Sequence, residues 1–106
     1  MLTDEYRYKI LKELQQDPDI SQRELAKRLD ISLGKANFCL KALIEKGLVK
    51  AENFKNSTNK VGYLYLLTPK GIEEKVTLTQ RFLQRKIAEY EALEQEIEQL
   101  RQEAKT

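Results

Sequence analysis

The chain contains no histidine and only one cysteine among its 106 residues. Without histidine, imidazole-ligated metal sites and histidine-based acid–base catalysis are not expected. A lone Cys39 cannot form an internal disulfide, which fits a reducing compartment. Proline and glycine are scarce, at two and four copies, and neither appears after Gly71. No run approaches the ~18 consecutive apolar residues of a membrane span. The opening Met1-Leu2-Thr3-Asp4-Glu5 lacks the charged and apolar regions of a secretion signal. The expectation is a cytoplasmic chain with no membrane partner. No paired acid–base constellation, nucleophile motif or glycine-rich phosphate loop is present, so neither an enzyme nor a cofactor is expected. Gly62 and Gly71 read as isolated punctuation.

Charge is abundant and unevenly placed. Residues 1–86 hold 17 Lys and Arg against 11 Asp and Glu, a net of +6, whereas residues 87–106 hold 2 against 6, a net of −4. A basic body with an acidic tail suits a polyanionic partner for the body alone. An ordinary solvated surface with a chance split is the plainer alternative.

Caps and periodicity divide the chain. Thr3 can cap a first helix, with Asp4 and Glu5 at its positive end. Tyr6, Ile10, Leu11 and Leu14 then share one face, and the helix should stop before Pro18. Ser21-Gln22-Arg23-Glu24 is a capping box that opens a short helix burying Leu25, Ala26 and Leu29. Asp30-Ile31-Ser32 makes a tight connection to a third helix, capped by Ser32. Ala36, Leu40, Leu43 and Gly47 trace its buried stripe, with Cys39 at the border, a small core residue rather than a redox switch. Gly47 suits a left-handed helix end. The period then changes. Leu48–Phe54 and Val61–Leu67 read as strands of a hairpin around a polar loop. Tyr63 and Tyr65 share one strand face, where packing is favoured over base stacking. Thr68-Pro69 opens a last helix that could run to about Ala104, roughly 54 Å at 1.5 Å per residue. The predicted fold is mainly α with a small β-hairpin: a winged helix-turn-helix over 1–68, then a long C-terminal dimerisation helix over 69–106.

The helix-turn-helix carries the functional signal. Its first helix and the body would fix the second in a DNA major groove. Off the buried stripe, Ser32, Leu33, Gly34, Lys35, Asn37, Phe38 and Lys41 face outward. Ser32 and the free N–H groups beside it can hold a phosphate. Gly34 removes bulk where backbone meets DNA. Lys35 can donate to guanine, and Asn37 can pair with adenine through two hydrogen bonds. Leu33 or Phe38 could touch a thymine methyl, and Lys41 a phosphate. Ser21, Gln22 and Arg23 could bind the DNA backbone and set register. Lys55, Asn56, Ser57, Thr58, Asn59 and Lys60 form a wing tip without an acid, able to lie along the backbone or enter the minor groove. Plain solvent-facing residues and a polar turn are the alternatives.

The last helix carries an apolar seam. Leu83, Tyr90 and Ile97 recur every seven residues, and Leu93 and Leu100 fill the complementary positions from Tyr90 onward. A single helix cannot bury that seam, so a homodimer is expected. Parallel and antiparallel pairings both stay open, as does a tail folded back on its own domain. A second reading makes the chain a winged-helix protein–protein interaction module that docks a partner through this helix.

The runs Ile20-Ser21-Gln22-Arg23-Glu24-Leu25-Ala26-Lys27, Ile31-Ser32-Leu33-Gly34-Lys35, Leu43-Ile44-Glu45-Lys46-Gly47-Leu48-Val49 and Leu67-Thr68-Pro69-Lys70-Gly71 resemble the MarR winged-helix regulators. The similarity is greatest to their short subgroup associated with exopolysaccharide gene clusters, and it covers nearly the whole chain. The resemblance implies a homodimeric, double-stranded-DNA-binding transcriptional regulator. The helix-turn-helix portion is shared with other winged-helix families, including the Lrp/AsnC regulators, whereas the Leu-Thr-Pro-Lys-Gly junction favours MarR. Typical MarR proteins have an additional N-terminal helix for dimerisation, whereas this sequence opens on the domain's first helix, and they often bind phenolic effectors, for which no pocket can be read here.

Overall fold

The computed structural model describes residues 2–55 and 61–105. The elements are α1 (Asp4–Gln16), α2 (Gln22–Leu29), α3 (Leu33–Glu45), β1 (Val49–Lys55), β2 (Val61–Leu67) and α4 (Pro69–Ala104). Order and type agree with the periodicity. The chain falls into two compact units, Met1–Val76 and Thr77–Thr106, so the first turns of α4 belong to the first unit.

Three helices of the first unit begin on the caps that the sequence offers. The Thr3 hydroxyl accepts from the Tyr6 N–H at 3.3 Å, Ser21 from Glu24 at 3.0 Å and Ser32 from Lys35 at 3.1 Å. Each cap satisfies one orphan N–H and is worth about 1 kcal/mol. Ile10, Leu11 and Leu14 of α1, Leu25 and Ala26 of α2, and Ala36, Cys39, Leu40 and Leu43 of α3 are buried. Cys39 is fully enclosed, as its reading as a small core residue expects. Leu29 departs from expectation, since it is only half-buried, as is Tyr6 on α1.

Two left-handed residues set the turns. Asp30, at φ 54°, ends α2 and lets its own N–H and that of Ile31 return to the last carbonyls of the helix. Gly47, at φ 75°, ends α3 as predicted. Arg28 ties α2 to the end of α1. Its guanidinium reaches Glu13 and Asp17 at 3.1 Å each and Glu24 at 3.4 Å. The hydrogen bond to Glu13, above all, raises the Arg28 pKa from its ordinary value. Single exposed pairs contribute little; their use here is to fix the angle between two helices.

β1 and β2 pair antiparallel from Val49↔Leu67 to Lys55↔Val61. The Tyr65 N–H donates to the Pro18 carbonyl at 2.9 Å, which lays the α1–α2 connection against the hairpin.

The entry to α4 clamps the end of α3. The Thr68 hydroxyl donates to the Gly47 carbonyl at 2.6 Å and accepts from the Gly71 N–H at 3.0 Å. The Thr68 N–H donates to the Leu48 carbonyl at 3.0 Å, and Lys70 Nζ to the Lys46 carbonyl at 3.2 Å. A Cβ on Gly71 would overlap the Leu48 carbonyl oxygen. Gly71 is therefore a packing requirement, and its reading as mere punctuation is corrected. Arg7 adds a second tie, reaching Asp4 at 2.5 Å and Glu74 at 3.1 Å.

Candidate nucleic-acid interface

Burying Ala36, Cys39, Leu40 and Leu43 turns the other side of α3 outward. Ser32, Leu33, Gly34, Asn37, Phe38 and Lys41 are exposed. Phe38 is the extreme case, at 57%. It lies between Asn37 and Lys41 on this face, where Leu33 is also open, at 38%. A Cβ on Gly34 would meet no atom within 4 Å. The fold therefore does not need glycine there.

Lys35 differs from its neighbours. It is half-buried, and its Nζ stands 4.0 Å from the centre of the Tyr6 ring. Sequence reasoning put Tyr6 on the apolar face of α1 and missed this pairing, because nothing local in either segment signals it.

The residues at the start of α2 separate into two kinds. Ser21 and Arg23 are exposed. Gln22 is half-buried, and its amide donates to the Tyr65 hydroxyl at 2.9 Å. That amide thus holds the supporting helix against the hairpin. Tyr65 is buried and Tyr63 is exposed at 55%, with ring centres 6.2 Å apart and planes 24° from parallel. They share one face, as the alternation predicts; only the inner one packs. A cleft of about 410 Å³ opens here, between the start of α2, Leu33 of α3, and Gly62, Tyr63 and Tyr65 of β2. One surface thus brings together the first turn of α3, the start of α2 and the outward side of β2.

Lys55 lies at the end of β1, and the wing residues Asn56, Ser57, Thr58, Asn59 and Lys60 lie outside the described residues. On α4, Leu83, Tyr90, Leu93, Ile97 and Leu100 are all exposed, between 40% and 62%. Among the described residues no helix is long and apolar enough to cross a membrane.

Comparison with known proteins agrees with this geometry. Residues 3–50 match the family of winged helix-turn-helix DNA-binding domains. No curated protein matches the chain. Among solved structures, the adhesin competence repressor AdcR of Streptococcus pyogenes is 23% identical, with a TM-score of 0.63 over 85% of this chain and 64% of its own. Staphylococcus aureus MarR, solved with salicylate and kanamycin, is 28% identical, with a TM-score of 0.56 over 78% of this chain and 56% of its own. A transcriptional regulator homologue from Pyrococcus horikoshii is 24% identical, with a TM-score of 0.55 over 82% and 81%. The chain spans less than two thirds of the length of the first two. It has the winged helix-turn-helix fold. That fold is shared with these transcription regulators, Staphylococcus aureus MarR among them.

Proposed function

We propose that the chain binds double-stranded DNA in a sequence-specific way and regulates transcription as a homodimer in the cytoplasm. Residues 1–68 form the DNA-binding part, and residues 69–106 the dimerisation helix. The observation that carries this reading is the outward side of α3. There Ser32, Gly34, Asn37, Phe38 and Lys41 are exposed on a capped helix, beside exposed Ser21 and Arg23. A rigid helix with one polar side open fits a major groove. Ser32 and Arg23 suit phosphates, and Asn37 suits adenine. Gln22 supports this surface by donating its amide to the Tyr65 hydroxyl rather than to a phosphate. Dimerisation rests on the exposed seam of α4. Exopolysaccharide gene clusters as targets rest on the motif resemblance alone.

AdcR is described as zinc-dependent. This chain has no histidine, and its described residues hold no cluster of three or more metal-ligating side chains.

The test is selection of duplexes from a random pool, followed by binding across salt. Affinity should fall steeply with salt, by a slope of about −0.9 per neutralised phosphate. Two related half-sites should emerge about one helical turn apart or a multiple of it. Lys35→Ala with Asn37→Ala should erase the preference; retained selectivity would defeat the residue assignment. Negligible binding at low salt, with another protein co-purifying through α4, would replace this reading by the interaction-module one.

A further inference from the structure

Lys35 occupies the first turn of α3, where the helix dipole disfavours a cation. No acid in that turn offsets it. Among the described residues, its ammonium stands over the ring of Tyr6, 4.0 Å from the ring centre on the first turn of α1. A cation over a ring face keeps its charge and is attracted by the ring's negative quadrupole. The ammonium has three N–H donors, and one ring can engage only part of that capacity. A free lysine side chain also samples many rotamers, and ordering it on binding costs entropy. The ring lowers that cost before any partner arrives.

We propose that Tyr6 is a positioning residue for sequence readout: its ring holds the Lys35 ammonium in one direction at the edge of the α3 surface, so that its remaining donors meet an acceptor on a base. This rests on the DNA-binding reading above. It adds α1 to the elements that decide specificity. The ring, and not the phenol hydroxyl, is the working part, so Tyr6→Phe preserves the function and Tyr6→Leu loses it.

Two measurements test this. The first needs no DNA. In the free protein, ring current shifts the Lys35 ε-methylene protons upfield; the shift persists in Tyr6→Phe and vanishes in Tyr6→Leu. An unshifted Lys35 in the wild type overturns the proposal. The second uses the duplex selected by the wild-type protein and single-base variants of it. Lys35→Gln abolishes preference at one base pair and reduces the salt slope by about one phosphate. Tyr6→Leu weakens preference at that same base pair by about fivefold and leaves the salt slope unchanged. Tyr6→Phe restores the preference. Thermal melts confirm that each variant is folded. Binding with undiminished preference in a folded Tyr6→Leu overturns the positioning role and spares the DNA-binding reading. A wild type that binds no duplex overturns both, even with the ring-current shift in place.

Discussion

Gly34 occupies the first turn of α3, where glycine has more conformational freedom to lose than any other residue. Nothing in the fold requires it, since a Cβ there meets no atom within 4 Å. Gly34→Ala should therefore raise stability by about 0.5 kcal/mol. If DNA backbone approaches this turn, the same change should weaken duplex binding by about tenfold, equivalent to roughly 1.4 kcal/mol. Melting and binding curves on one sample check both signs; improved stability with unchanged binding would remove Gly34 from the interface. Asp17 and Asp19 provide a pH test. Their mutual hydrogen bond holds Asp19 above the ordinary carboxylate value and Asp17 below it, with Arg28 adding to the latter. The raised Asp19 contributes stability when protonated, and that contribution is lost as pH rises through its folded pKa. The lowered Asp17 contributes above its unfolded pKa, and its share is lost as pH falls through the folded value. Asp19→Asn keeps a donor toward Asp17 without a second charge. It should raise the melting temperature by about a degree near neutral pH, with the gap closing in acid. A gap that widens in acid would contradict the assignment.

The entry to α4 behaves as a clasp on the end of α3. Thr68 bonds Gly47, Leu48 and Gly71, while Gly71 admits the Leu48 carbonyl where any Cβ would overlap it. Thr68→Ala removes a cap and one cross-bond and should cost about 1–2 kcal/mol. Gly71→Ala must displace backbone and should cost more than ~2 kcal/mol. Denaturant unfolding of the two variants gives the ranking, and the reverse order would refute the clasp. This clasp also shows what a linear reading can reach. The caps at Thr3, Ser21 and Ser32, the buried stripe of α3 and the glycine at 47 are local patterns, and each was legible. Lys35 on Tyr6, Gln22 on Tyr65 and Gly71 under Leu48 join residues distant along the chain. Each depends on how elements pack, which periodicity within one element does not encode. The left-handed Asp30 was missed for another reason: aspartate tolerates that conformation without demanding it.

Across the whole molecule, the proposed homodimer and its proposed DNA binding should respond to salt in opposite directions, because the charge is split along the chain. Residues 87–106 carry six acids against two bases, and the strongest part of the seam, Tyr90 to Leu100, lies inside that stretch. Pairing the Tyr90–Leu100 stretch of one copy with the same stretch of another sets acid beside acid. Added salt screens that repulsion, as the Debye length shrinks from about 10 Å at 0.1 M to about 3 Å at 1 M. Self-association should therefore tighten with salt, while duplex affinity falls. Sedimentation at the two ionic strengths reads the first effect without DNA. Leu93 and Leu100 are both more than half exposed, at 53% and 56%. Leu93→Glu with Leu100→Glu should leave the chain folded and monomeric. Each DNA-binding part would then engage its half-site alone and lose the gain from being linked, about 10²–10⁴ in affinity for the paired site. Affinity for an isolated half-site should not change. A double variant that still forms dimers, or a wild type whose association weakens as salt rises, would mean that α4 does not join two copies through this seam.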